Sequence, residues 1–326
     1  MGIIGGGQLA RMCQPPAVGL SITLSVLVGS VDASAALVVP SSPVGDHTDV
    51  EAVRAFAREC DVVTFEHEQV PDEVLSALEA DGVVLHPSPA AIVLAQDRLA
   101  MRRRLNEIGV AVVDGLLAEQ RVDVVRELAV LVARSPSGQA AAWPIVEIVR
   151  IEGRCAQVLA PAPGLDPGLA AVATEAGLRI AGELGVTGVM AVELFEVRDA
   201  QTGGPAYMVN ELAMGPHRSG HWSIDGAVTS QFEQHLRAVL DLPLGDTSPR
   251  APWTVMGNVE GGDYSQLYPA YRHLMARDPG LRIHLYGKAV RPGRTIGHVN
   301  VSGADLDDLR SRASHASDYL QGVITR

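Results

Sequence analysis

The sequence predicts an α/β chain (α+β overall) in three parts. These are an N-terminal open parallel-sheet domain at 1–86, a central mixed domain at 87–246 and a small β-rich module at 247–326. Three observations predict it. Short apolar runs alternate with helix-like spacings through the first 85 residues. His86-Pro87-Ser88-Pro89 then reads as a linker. Near the C-terminus two strand-like runs flank Arg291-Pro292-Gly293-Arg294, with Pro then Gly in the central positions of a type II turn.

Taken in order, a strand at 2–4 runs into Gly5-Gly6-Gly7-Gln8, and a helix starts near Leu9. Pro15-Pro16 predicts that this helix is kinked or delayed. A strand at 24–28, a helix within 46–60 and a buried strand at 61–65 follow; the last delivers Glu66-His67-Glu68 to the carboxyl edge of the sheet, where open α/β sheets bind ligands. Residues 72–80 read as a helix, with Val74, Leu75 and Leu78 on its apolar face, and 83–85 as a strand. One long helix is expected over 90–108; its Arg102-Arg103-Arg104 cluster reads as a solvated face, while Arg98 is placed to turn inward. Strands are expected at 116–119, 127–134 and 142–149, a loop at 161–167, a helix at 170–184 and another at 228–240. The last two strands are placed at 282–290 and 295–301.

Between those helices lies the most informative stretch. VMAVELFEV and AYMVNEL flank RDAQTGGP, which reads as a β-hairpin. Glu193 and Glu211 are each nine residues from Thr202, so symmetric closure sets them opposite each other. Opposed like charges are unfavourable unless a cation joins them, and Mg²⁺ takes one or two carboxylates with water and phosphate oxygens. Asn210 points to the other face and offers an amide ligand at the strand end. The alternative is a solvated acidic hairpin with a slipped register. His217 and His221 have helical metal spacing, but Pro216, Ser219 and Gly220 favour a loop there over a zinc site.

Composition narrows the classes. A net charge of −12 argues against a general nucleic-acid or anionic-membrane binder. Cys13, Cys60 and Cys155 are scattered, with no CxxC pair, and read as buried apolar residues in a reducing cytoplasm. No signal peptide and no run long enough to span a bilayer is seen. Lys288 is the single lysine, which excludes a GxxxxGK[ST] phosphate loop. Lys288, Arg291 and Arg294 therefore concentrate positive charge in an acidic chain, either as a surface hairpin or as an anion clamp. Gly5-x-Gly7-x-x-Ala10 with Asp32 is a weak dinucleotide pattern, and an NAD-dependent oxidoreductase rests on it alone.

GGGQLARM, TFEHEQVP, HPSP with AQDR, VELF with VNELA, PHxSGHW, SQFEQHLRAVLDLPLGD and LYGKxxRPGRxxGHVN occur in this order. Together they closely resemble the N5-carboxyaminoimidazole ribonucleotide synthase family of ATP-grasp ligases in purine biosynthesis. The resemblance implies an ATP-grasp architecture, ATP and Mg²⁺ as cofactors, and a cytoplasmic homodimer. It also implies carboxylation of 5-aminoimidazole ribonucleotide by bicarbonate through carboxyphosphate.

Carried over by residue, it makes Glu193 and Glu211 the metal pair, and Glu211, Asn210 and His217 the catalytic group. Glu119, Gln120, Arg121 and Val122 would meet adenine, Glu127 the nucleotide ribose, and Arg98 the phosphates. Gly7, Gln8, Glu66, Glu68 and Ser219 fall where the ribonucleotide is expected, with Lys288 and Arg294 as its phosphate clamp. Near Asp114 the family carries a longer segment, with an ATP-binding lysine and a Gly-rich GGYDGKG loop, so the central domain is expected to have a truncated lid. Gly215 and Arg218 stand where the family has arginine and asparagine. Weakened ATP binding is the expectation, and an inactive remnant that still binds the ribonucleotide is the alternative to a working ligase.

Overall fold

The computed structural model describes residues 1–113, 124–199, 202–262 and 267–324. Its first unit is a three-stranded parallel sheet in the order β2-β1-β3, built from β1 (Gly2–Ile4), β2 (Ser25–Leu27) and β3 (Val63–Phe65). Helices α1 (Gln8–Gly19), α2 (Val50–Ala57) and α3 (Asp72–Ala80) cover it. α1 begins at Gln8 and runs unbroken through Pro15 and Pro16, so the expected delay is corrected. Pro15 is exposed and Pro16 partly so, which leaves the freed carbonyl groups of the preceding turn near solvent.

The helix expected over 90–108 is two helices, α4 (Pro89–Gln96) and α5 (Arg98–Glu107). Asp97 breaks it: its backbone is extended, and its carboxylate accepts from the N–H groups of Leu99 and Ala100, capping α5. The break starts a new helix at Arg98 and aims that side chain at the hairpin.

Eight strands then form one hydrogen-bonded path, with a short ninth at its side. The central strands are β4 (Val124–Arg134), β5 (Ala140–Ala142), β6 (Val146–Ile151) and β7 (Arg154–Ala160). In place of the single strand expected at 142–149, the chain breaks at Trp143-Pro144, and β7 has no counterpart among the expected strands. After α6 (Pro167–Glu183) come the hairpin strands β8 (Gly188–Arg198) and β9 (Pro205–Ala213). A 3-10 turn at Arg218–Gly220, α7 (Ser223–Gly226) and α8 (Gln231–Val239) follow.

The C-terminal part is mixed rather than simply β-rich. It contains β10 (Trp253–Glu260), α9 (Tyr268–Arg277), β11 (Arg282–Leu285), β12 (Thr295–Gly303) and α10 (Leu306–Gln321). Its strands extend the central sheet, which reads β11-β12-β10-β7-β6-β4-β8-β9 across the boundary expected at 246/247. The turn expected at 291–294 is present: Arg294 N–H donates to the Arg291 carbonyl and Gly293 has φ 73°.

Both faces of β4 are covered, which explains its unbroken apolar run. Leu128, Val130 and Val132 pack with Ala173 and Ile180 of α6; Ala129, Leu131 and Ala133 pack with Trp143 and Trp222. α8 ties the two sheets together, since Phe232, Leu236 and Val239 share a core with Ile3 and Val26. Within that seam His235 accepts from Val189 N–H at Nδ1 and faces Thr64 Oγ1 at 3.1 Å through Nε2. Burial presses its pKa down to about 4, so it is a neutral bridge. Among the described residues no helix is long and apolar enough to cross a membrane.

Asp97→Ala should cost about 1 kcal/mol through loss of the cap. Urea unfolding of the two proteins measures it, and an unchanged midpoint would show that packing alone holds the break.

Candidate active site

The β8–β9 hairpin closes with Glu193 opposite Glu211. The register shifts immediately beyond that pair, where Leu194 faces Val209 and Asn210 is the extra residue of a bulge. Among the described residues no group of three or more His, Cys, Asp or Glu suits a metal. The donor set here is two facing carboxylates, which fits Mg²⁺, whose other positions go to water and phosphate.

Arginines surround the pair. Arg98, at the start of α5, donates to Glu211 Oε2 at 2.9 Å. The buried Glu193 carboxylate lies 3.5 Å from Arg218, 3.5 Å from His217 Nε2 and 3.9 Å from Arg150. Arg150 also donates to Glu127, so the expected ribose acid is held by a β6 arginine. Glu68 accepts from Met214 N–H at 2.8 Å, which fastens β9's exit to the first sheet.

The 217–221 segment is a 3-10 turn with its own caps, and its two histidines turn to different partners. His217 Nδ1 faces Ser219 Oγ at 2.9 Å and accepts from Ser219 N–H. Nε2 therefore carries the proton toward Glu193. Burial, with Arg218 adding, presses His217 down to about 3, so it is a neutral donor and not a base at physiological pH. Ser219 is fully buried and spent on His217, so its hydroxyl is not open to a ligand as the resemblance implied.

Two cavities meet here. One of about 210 Å³ is lined by Glu68, Glu193, Glu211, His217 and Arg218. The other, about 390 Å³, is lined by Gln8, Arg150, Arg218, His221 and Tyr286, and by Gly293 and Thr295 on either side of Arg294. Arg218 is common to both. Lys288 lies over the Tyr286 ring, 5.6 Å from its centroid. Burial lowers its pKa, Arg294 lowers it further, and Glu66 opposes both.

Glu66 fills the place that the dinucleotide pattern would need empty. A Cβ at Gly7 would collide with Glu66 Oε1, and the Leu9 N–H donates to the same oxygen at 3.3 Å. Asp32 sits exposed in a turn beyond β2. The oxidoreductase reading is therefore overturned. Glu119, Gln120, Arg121 and Val122, and the strand expected at 116–119, lie outside the described residues. Arg150, Tyr286 and Gln231 join the site without having been singled out for it by the sequence, and His221, weighed there only for zinc spacing, joins it as a cavity wall. Of the first three, Arg150 alone carries a signal, as a charge at the end of an apolar run.

Burial pushes Glu66 up to about 7, against the help of Leu9, Lys288 and Gly7. A carboxyl with a raised folded-state pKa favours folding below its unfolded pKa, and that contribution is lost as pH rises through the folded value. From pH 4.5 to 7 it removes on the order of 3 kcal/mol. Glu66→Gln should therefore melt higher than the unaltered chain at pH 8 and equally at pH 4.5. A constant difference across that range would refute the shift.

Residues 1–96 match the ribonucleotide synthetase preATP-grasp domain, 94–232 the ATP-grasp domain and 254–312 the phosphoribosylaminoimidazole carboxylase C-terminal domain. The N5-carboxyaminoimidazole ribonucleotide synthase of Mycobacterium tuberculosis is 47% identical across 98% of this chain and 87% of its own. That of Corynebacterium ammoniagenes is 43% identical across 98% and 91%. Both alignments, of 377 and 376 positions, are longer than this chain of 326 residues, so each spans positions with no counterpart here.

Among solved structures, the N5-carboxyaminoimidazole ribonucleotide synthetase of Thermus thermophilus superposes with a TM-score of 0.86 at 33% identity, covering 100% of this chain and 98% of that one. The synthase of Aspergillus clavatus, in complex with ADP and 5-aminoimidazole ribonucleotide, gives 0.87 at 27% identity and covers 98% and 97%. The chain belongs to the N5-carboxyaminoimidazole ribonucleotide synthase family of ATP-grasp ligases.

Proposed function

We propose that the chain couples ATP cleavage to carboxylation of 5-aminoimidazole ribonucleotide by bicarbonate, giving the N5-carboxy product. The supporting observation is one side chain: Arg218 lines both the carboxylate cavity and the larger cavity beside the Lys288–Arg294 loop.

In the first step a bicarbonate oxygen attacks the γ-phosphorus of ATP and ADP leaves, giving carboxyphosphate. In the second, the exocyclic amine attacks the carboxyl carbon, and phosphate departs with the amine proton. Glu193, Glu211 and Asn210 would hold Mg²⁺, which supplies charge neutralisation for the transferring phosphoryl group. Arg98 steadies Glu211, and Arg218 and Arg150 supply positive charge where the anion forms. His217 stays neutral and offers an N–H. Lys288 and Arg294 take the ribonucleotide phosphate, with Gln8 and Glu66 at its other side, and Glu127 and Glu119–Val122 take the nucleotide's ribose and adenine. Ser219 acts by fixing His217.

Two further parts of the reading, a cytoplasmic location and a homodimer, rest on family membership; light scattering at twice the monomer mass would support the dimer.

ADP release from Mg-ATP and bicarbonate is the direct test, with and without the ribonucleotide. Stimulation by the ribonucleotide is expected, and Glu211→Gln should lower it at least a hundredfold, as loss of a transition-state charge partner does (roughly 10²–10³). Ribonucleotide binding without stimulated release would point instead to the non-catalytic remnant, and to the shortened lid as its cause.

A further inference from the structure

His221 is buried yet contributes to the wall of the larger cavity. Its neighbours are aromatic: Phe232 at 5.8 Å between ring centroids, His298 at 4.9 Å and Tyr286 at 6.2 Å. What fixes its chemistry is Gln231, a buried amide at the start of α8. Gln231 Oε1 accepts from the His217 backbone N–H at 2.9 Å, so that end of the amide must be oxygen. Its Nε2 donates to the His217 carbonyl at 2.8 Å and lies 3.0 Å from His221 Nδ1. The second amide proton has only that nitrogen to go to. Nδ1 of His221 is therefore an acceptor, and the ring's proton is on Nε2.

Nothing in this clamp can rotate freely. Gly220 permits it: a Cβ there would collide with Gln231 Oε1 and with the Leu131 side chain. Ser223 donates to the Gly220 carbonyl and accepts from the Gln231 backbone N–H at 2.9 Å. The titratable and charged groups around the ring are His217 and Arg218 on its own loop, His284 and His298 on the strands beneath, Tyr286 just past β11, and Asp225, which pairs with His284 and shares Asn300 with the His221 carbonyl. Burial, then His217, His284 and Arg218, press its pKa down to about 3. The ring stays neutral. Among the described residues the ring's side-chain hydrogen bond is the one at Nδ1, and the ring lines the larger cavity.

We propose that the Nε2–H of His221 binds the unsubstituted ring nitrogen of the aminoimidazole and so leaves the exocyclic amine turned toward Arg218. This inference rests on the ribonucleotide reading above. The cavity brings the contacts together: Gly293 and Thr295 flank Arg294, Arg218 is shared with the carboxylate cavity, and His221 and Tyr286 line the same wall. A fixed neutral donor suits a lone-pair nitrogen and repels the amine, whose own N–H groups would face it. The nucleophile is thereby sorted from the ring nitrogen without a charge.

Calorimetric titration of the full chain with 5-aminoimidazole ribonucleotide and with ribose 5-phosphate tests this. His221→Phe keeps the aromatic packing and removes the donor; it should weaken the ribonucleotide roughly tenfold and leave ribose 5-phosphate unchanged. His221→Gln, whose amide N–H can reach the Nε2 position, should recover part of the loss. Equal weakening of both ligands, or of neither, would overturn the proposal. Should the variants fail to fold, long-range ¹⁵N–¹H spectra of the unaltered protein still decide: a proton on Nε2 alone from pH 6 to 8 is required, and a proton on Nδ1 defeats it. A chain that binds no ribonucleotide at all would sink the functional reading together with this one.

Discussion

Two carboxylates facing each other across a hairpin are the constraint to which the neighbouring elements answer. Left alone, Glu193 and Glu211 would repel in a setting where Glu193 is buried, and burial of an unpaired charge is costly. The relief comes from several separate elements. Arg98 arrives because Asp97 restarts a helix, Arg150 from the end of β6, and Arg218 and His217 from the turn after β9. Arg150 is itself shared with Glu127, and one strand further on Arg126 joins Glu147 and Glu196. The arginines offset the two carboxylates where no other cation stands between them.

The neutral histidines complete that arrangement. His217, His221 and His235 each have one ring nitrogen accepting from a fixed donor, and each lies in an apolar or cation-rich setting that disfavours a second proton. Protonated imidazoles would add to the charge of the arginines already there. What the site lacks is directional donors without charge, and imidazoles held in one tautomer supply them.

Much of this was legible in the sequence, and the limits have physical causes. The hairpin could be placed because its turn residues are strong and the carboxylates are equidistant from Thr202. The Asn210 bulge could not, since an extra residue leaves no compositional trace. α3 was placed at its observed bounds, its apolar face being clean. Asp97 was hidden because a capping aspartate inside an apolar helical pattern looks like any polar helix residue. The β6–β7 turn uses Glu152 and Gly153, both at positive φ, and glutamate is a poor signal for it. β10 was lost because it is buried on both faces and Gly257 interrupts its run. Gln231 depends on contacts that only the folded turn creates, and the His217–His221 spacing suggested a metal rather than this clamp.

The scarcity of lysine has a consequence outside catalysis. Lys288 carries the chain's one side-chain amine, half-buried above Tyr286 with its pKa lowered chiefly by burial. Every other permanently positive side chain is a guanidinium, which acylating and aldehyde reagents attack poorly. Reagents that elsewhere scatter over a protein surface are thus confined, among side chains, to one amine at the rim of the cleft. Chemical selectivity that is usually engineered into a protein is already present in this one.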